Sequence, residues 1–299
     1  MKNILSQSLV IVFGVASIVS AAPRKIAYEQ REKIFVAELD GVHAKQIATG
    51  ALPDISPDGT RVAFNTEGEA KSRPGLERHI AVAEVATGKT TILKNIPSDN
   101  CFGPTWSPDG KQLAFMIMAD NKWQLGLVNA DGSGFRFIKT PEIKSDGMGG
   151  AEWSRDGKWI FCHDLDNLYQ IDLEGKISNK WELAKVVTDA SMNGGDKLSI
   201  SPDGKSLLMD VDCGAEHERK DWDGPQPAIV KLDLGADKAV RITAKNDFVW
   251  EPFWLNATEF LCLIQKENEK EPSIYRMSLD GKNPKLLVKH ARTPSASAP

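Results

Sequence analysis

Apolar and polar residues alternate in short runs along most of this chain, and the runs repeat. In four places a Ser-x-Asp-Gly turn is followed by apolar residues three and five positions after its glycine: Val62 and Phe64, Leu113 and Phe115, Ile160 and Cys162, Leu207 and Met209. Spacing by two places both residues on one face of a strand, as burial against a neighbouring sheet requires. The turns read Ser56-Pro57-Asp58-Gly59, Ser107-Pro108-Asp109-Gly110, Ser154-Arg155-Asp156-Gly157 and Ser201-Pro202-Asp203-Gly204, with aspartates 51, 47 and 47 residues apart. Proline presets φ early in such a turn, aspartate bonds to the local backbone, and glycine takes the left-handed conformation that closes a bulged hairpin. A degraded fifth copy lies at Trp254-Leu255-Asn256-Ala257, followed by Phe260 and Cys262, and Ile26 with Tyr28 hold the same places in a sixth strand.

A second signature recurs six times, at residues 34–41, 80–88, 125–132, 168–175, 229–235 and 274–281, mostly ending in Asp-Gly or Glu-Gly. These endings suit tight hairpins. Short β-like stretches follow at 45–48, 90–93, 135–138, 240–243 and 285–288, which makes the unit four antiparallel strands. Four-stranded units at a period in the forties are propeller blades, packed radially face to face. The sequence therefore predicts an all-β, six-bladed β-propeller over residues 23–290. The chain begins with strands two to four of one blade, so the innermost strand of that blade must come from elsewhere. The tail 291–299 is the candidate, since Pro294 is tolerable on a channel-facing edge; a frayed tail is the alternative.

The first residues add an address. Lys2, an apolar run over 9–19 and the small residues Val19-Ser20-Ala21 read as a signal peptide over 1–22. No later stretch reaches the roughly 20 apolar residues of a membrane span, and no cysteine follows the run to accept lipid. A periplasmic or secreted monomer is expected. Hydrophobic residues make up 41% and charged residues 26% of the 299, ordinary globular values, with a net charge of only -4 and no basic stripe, which sets nucleic acid aside.

With Trp106 or Trp153 ahead of the turn and strands such as 111–115 behind it, the repeats resemble the WD40-like (PD40) repeats of the TolB family over nearly the whole mature chain. The resemblance implies a periplasmic, protein-binding module with no catalytic residues and no cofactor. TolB also carries an α/β domain ahead of its propeller, whereas residues 24–30 here already read as propeller strand. Similar propellers precede serine-peptidase domains and form the bodies of some polysaccharide lyases. The G-x-S-x-G pentapeptide of the peptidases does not occur. A lyase-like enzyme, or a metal or small-molecule binder, stands as the alternative.

Strand direction sorts the connections onto two faces. The PDG and Asp-Gly turns share one; the other collects the longer segments 67–77, 94–103, 140–149, 187–196, 213–226 and 265–272. Long loops converging on one end of a rigid scaffold are where binding resides. The candidates there are Asp146, His163, Asp164, Asp196, His217 and Trp222, facing an envelope protein or glycan. Trp222 and Trp250 could anchor a partner or stack on sugar rings. Asp210, Asp212, Asp221 and Asp223 flank the largest loop, where a bound cation such as calcium is an alternative to a solvated acidic loop. His79, His163 and His217 share this face without an H-E-x-x-H pattern, so a transition-metal site is the weaker reading. The pairs Gly149-Gly150 and Gly194-Gly195 fit the crowded axis, with an anion cradle as the alternative. Cys162 and Cys262 hold equivalent strand positions a whole blade apart, beyond the Cα separation of about 7 Å that a disulfide allows. Export should show as cleavage after Ala21 or Ala22; an intact N-terminus in the mass spectrum of the exported protein would contradict it.

Overall fold

The computed structural model describes residues 23–70, 75–145, 147–214, 219–236 and 238–298, and the leader expected over 1–22 lies outside them. Six antiparallel sheets succeed one another along the chain. Blade one is Ala51–Ile55, Arg61–Glu69, Leu76–Glu84 and Thr90–Ile92, and blade two is Cys101–Trp106, Gln112–Ala119, Lys122–Asn129 and Arg136–Ile138. Blade three is Gly149–Trp153, Trp159–His163, Asn167–Asp172 and Ile177–Glu182. Blade four has a divided inner strand, Ala190–Ser191 and Leu198–Ile200, before Ser206–Cys213, Gln226–Asp233 and Ala239–Arg241. Blade five is Val249–Trp254, Glu259–Ile264, Ser273–Ser278 and Lys285–Val288. The protein is a six-bladed β-propeller.

The PDG turns repeat because their side chains close the same three bonds each time. In blade two the Ser107 hydroxyl donates to Asp109 (2.7 Å) and accepts the Gln112 N–H (2.9 Å), while Asp109 accepts the Lys111 N–H (3.1 Å). Blades one, three and four reproduce the set around Asp58, Asp156 and Asp203. The serine hydroxyls hold Asp109, Asp156 and Asp203 below the usual carboxylate range. These aspartates are structural.

Each second strand is buried on both faces, and that is why its pattern stands out. Leu113, Phe115 and Ile117 pack against Ile80 and Val82 of blade one, while Ala114 and Met116 pack against Ile160 and Cys162 of blade three. The outer strand Ile177–Glu182 carries no such signal, because only Trp181 within it is buried. Sequence reasoning missed it and the short helix Leu183–Val186 that follows.

The chain's two ends complete blade six. Arg292–Ala296 pairs antiparallel with Lys25–Gln30, followed by Lys33–Glu38 and Lys45–Thr49. Lys25 N–H donates to the Ser297 hydroxyl (3.0 Å), Ala298 N–H to the Pro57 carbonyl (2.9 Å), and the Arg24 guanidinium to the carbonyls of Ser297 and Leu255 (both 3.0 Å). All four cysteines are free and buried, and burial pushes the thiols of Cys101 and Cys162 up to about 12. No helix among the described residues is long and apolar enough to cross a membrane. A chain ending at Ala291 should melt at least about 5 °C lower in near-ultraviolet circular dichroism, since each kcal/mol is worth roughly 2–4 °C in a domain of this order; an unchanged melt would show the ring does not depend on this strand.

Candidate functional site

The long-loop residues divide into three groups. Asp146 and His217 lie outside the described residues. His163 ends the second strand of blade three with its ring fully buried and neither nitrogen in a well-formed hydrogen bond among the described residues. Burial pulls its pKa down to about 4, against a smaller opposite pull from the Asp196 backbone and the Asp164 carboxylate, so the ring is neutral at neutral pH. A Cβ on Gly149 would stand 2.6 Å from that ring and 3.1 Å from the Gly194 carbonyl, and Gly150 has φ +64°. The glycines are there for close packing.

Asp164 accepts the Asn167 N–H (2.8 Å) and the Tyr169 hydroxyl (2.7 Å), so it shapes a turn. Asp196 is buried against the Asn193 N–H (2.6 Å), its pKa pushed up to about 9 by burial and then by the Asp210 carboxylate. Trp222 belongs to a separate, aromatic cluster. Its ring lies 5.2 Å from Phe248 and 5.4 Å from Trp250, its indole N–H donates to the Pro225 carbonyl (2.8 Å), and Arg219 stacks on Phe248 at 4.5 Å. Arg219 also grips Asp221 with two hydrogen bonds, and Asp221 accepts the Asn268 N–H (2.7 Å), which joins the long loops of blades four and five.

The inner strands line the channel with groups that sequence reasoning passed over. Asp54 accepts the Trp106 N–H (2.8 Å), Glu152 the Ile200 N–H (2.8 Å), Ser199 the Trp254 N–H (2.8 Å) and Ser295 the Ile55 N–H (3.0 Å). Each bond runs from one blade to the next. A second level repeats the device: Asn65 accepts the Gly103 N–H (3.0 Å), Asp210 the Glu251 N–H (3.0 Å) and Glu251 the Thr293 N–H (2.7 Å). The donors Gly103, Glu251 and Thr293 have φ of 63°, 50° and 49°, and each sits in an inner strand whose register shifts beside it. For residues with a Cβ this conformation costs roughly 1–2 kcal/mol. It turns the N–H toward the preceding blade. His163 occupies the strand position of Asn65 and Asp210, six residues after its turn glycine, but the Lys197 N–H it would have received goes to Asp210 instead.

Burial dominates the electrostatics of this belt. It pushes Asp54 up to about 6 and Glu152 and Asp210 up to about 7, and it raises Glu251, against opposing hydrogen bonds and charges. Lys197 is the positive charge common to Asp54, Glu152 and Glu251. Between the PDG turns the channel opens into a cavity of about 260 Å³, walled by Trp106, Trp153 and Trp254, with Arg24, Arg155, Asp54 and Glu152 on its lining. Beyond it the space shrinks to cavities of about 50 and 40 Å³. One signal for this mouth was visible: Arg155 stands where the other three turns have proline. Among the described residues no group of three or more His, Cys, Asp or Glu is placed to hold a metal ion.

No protein-family model matches the chain, and no curated protein matches it in sequence. Solved structures do match. TolB from Acinetobacter baumannii aligns with a TM-score of 0.67 at 17% identity, covering 93% of this chain and 67% of that one. The putative TolB from Agrobacterium tumefaciens gives 0.63 at 17% identity, covering 89% and 88%. A chain of the nidogen/laminin complex gives 0.65 at 12% identity, covering 92% and 98%. At such identities the likeness is one of fold, a TolB-like propeller.

Glu152 gives the belt a test. Its folded pKa of about 7 lies above the ordinary carboxylate value, so its contribution to stability is full at low pH and is lost as pH rises through 7. Glu152→Gln keeps an acceptor for Ile200 and cannot ionise. The variant should melt above the wild type at pH 8.5, and the gap should narrow by pH 5.5 and close below the ordinary carboxylate value of 4.5; a variant that melts lower at both pH 8.5 and pH 5.5 would show that the charge itself is needed.

Proposed function

We propose that this protein is an exported, non-enzymatic binding module of the bacterial envelope that docks a partner protein on its long-loop face, around Trp222 and Trp250. The observation that carries this reading is the aromatic platform. Trp222 is half-buried, and its orientation is fixed by the Pro225 carbonyl and by two flanking aromatic rings. Arg219, only 5% exposed, locks the supporting loops. An anchor already held in its bound orientation loses little freedom on association, and tryptophan at the centre of such a patch is the residue that most often dominates binding energy.

The leader in the sequence supports export, and the TolB-like fold supports a binding role. The other ionisable candidates on this face support it differently: Asp164 and Asp196 are committed to internal hydrogen bonds. A docking surface needs no reactive group. Immobilised wild-type protein should retain a partner from an envelope extract. Trp222→Ala should then weaken that partner's binding by at least about 2 kcal/mol, roughly thirtyfold, with Lys111→Ala and Lys158→Ala near the wild type. Loss of binding in the lysine variants alone would place the partner on the opposite face.

A further inference from the structure

The inner strand of blade four is interrupted over residues 192–197, and the turn in that gap carries a reactive pair. Asn193-Gly194 is the only place in the sequence where asparagine precedes glycine. Asn193, Gly194 and Gly195 are all exposed, and the two glycines line the narrow long-loop end of the channel. A Cβ on Gly194 would meet nothing within 4 Å, and its φ lies outside the left-handed region. The fold therefore does not need glycine at this position.

An asparagine side-chain carbonyl is open to attack by the backbone nitrogen of the next residue. The attack is easiest where that residue has no side chain to obstruct the approach and its N–H is free. Gly194 N–H has no acceptor among the described residues. Gly195 N–H donates to Asn193 Oδ1 (2.8 Å), closing an Asx turn whose ring contains both Asn193 Cγ and the Gly194 nitrogen. That donor also faces the oxygen on which negative charge develops during attack. The PDG turns lack these conditions. In blade two Gly110 N–H is donated to the Ser107 carbonyl (2.9 Å), and the Asp109 carboxylate is held by Ser107 and Lys111.

We propose that Asn193 deamidates without an enzyme, through a cyclic imide with Gly194, and that the product loosens segment 192–197. The Gly194 nitrogen gives its proton to water or hydroxide and forms a bond to Asn193 Cγ. The Cγ–Nδ2 bond breaks, and Nδ2 takes a proton from water and leaves as ammonia. A second water then opens the imide at either carbonyl. Breaking the new Cγ–N bond yields aspartate; breaking the original peptide bond yields isoaspartate, with the main chain routed through the side-chain carbon. Water is the only co-reactant, and nothing is oxidised or reduced.

Both products act on the bonds that hold the turn. Asn193 Nδ2–H donates to Asp212 Oδ2 (3.0 Å), and a carboxylate at position 193 removes that donor and sets two negative charges face to face. Asn193 N–H donates to Asp196 (2.6 Å) and Asp196 N–H to the Asn193 carbonyl (3.1 Å), so the turn is closed from both sides. The extra backbone carbon of isoaspartate shifts one end of that pair against the other. The next residue, Lys197, donates its N–H to Asp210, which also accepts the Glu251 N–H (3.0 Å). Loosening therefore reaches the join between blades four and five at the channel end. The site stands or falls independently of partner docking.

The test holds the full mature chain in warm buffer at pH 8.5 and pH 5.5 and follows its tryptic peptide 186–197 by mass spectrometry, with isoaspartate scored by protein isoaspartate methyltransferase. Product at Asn193 should form at least about tenfold faster than at the exposed Asn179, Asn246 and Asn268, a factor worth roughly 1.4 kcal/mol in barrier. It should form more slowly at pH 5.5, where hydroxide is scarce. Gly194→Ala should slow it by at least about tenfold with an unchanged melting temperature. Wild-type protein aged at pH 8.5 and fresh Asn193→Asp should both exchange amide hydrogens over 187–200 at least about threefold faster than fresh wild type, with the PDG-side peptides unchanged. Modification at Asn193 no faster than at the other asparagines, or as fast in Gly194→Ala, overturns the site; unchanged exchange over 187–200 in the modified protein overturns the loosening.

Discussion

The fold depends on hydrogen bonds that run sideways, from a side chain on one inner strand to a backbone N–H on the next. An inner strand has a partner on one edge only, and its free N–H groups face the channel as an open sheet edge would. Here Asp54, Glu152, Ser199 and Ser295 satisfy four of them, each reaching one blade forward. The bond from Ser295 to Ile55 joins the chain's last strand to blade one. Closure of the ring and satisfaction of its inner edge are one structural event.

Carboxylates make strong acceptors for this task, because hydrogen bonds to an ionised group are shorter and about twice as strong as neutral ones. They also bring charge into a narrow, poorly solvated space. Backbone N–H bonds act to keep Asp54, Glu152 and Asp210 ionised, helped at Asp54 and Glu152 by nearby positive charges, yet the net shift is upward. Desolvation wins at every one of these positions. The belt is held together by its hydrogen bonds despite its charge, and protonation relieves the cost of burying that charge.

The blades were legible in the sequence because one turn chemistry is repeated. Ser, Asp and Gly each have a bond or a φ to supply in every copy, so substitution is restricted, and strands buried on both faces keep their apolar spacing. The channel belt was not legible, because its task fixes a position and not a residue type: Asp54, Thr105, Glu152, Ser199, Phe253 and Ser295 are equivalent places with five chemistries among them. Strand parity assigned His163 and Asp164 to the correct end of the blade but could not say which way the ring would turn. It turns inward beneath Gly149-Gly150. Arg155 was readable as a departure from the repeat, yet its meaning depends on Arg24, whose place beside it follows only from ring closure.

That dependence explains why the two ends of the channel differ. Toward the long loops the space is filled by Gly150, Gly194, Lys197 and Leu198 and shrinks to about 40 Å³. At the PDG end the ring has to be joined, and the junction of blades five and six has Phe253 where other blades carry a hydrogen-bonding side chain. A guanidinium does the joining there instead, Arg24 bridging Leu255 and Ser297 across the seam. Serine or threonine could span such a gap without adding charge; arginine spans it and places a charge on the lining of the cavity. The same substitution of arginine for an uncharged turn residue occurs at Arg155, which bonds Ile200 and Ser201 across the junction of blades three and four. Two seams closed by arginine on one mouth set two guanidinium groups on the same lining as Asp54 and Glu152, so the charge of that mouth follows from how the ring is sealed.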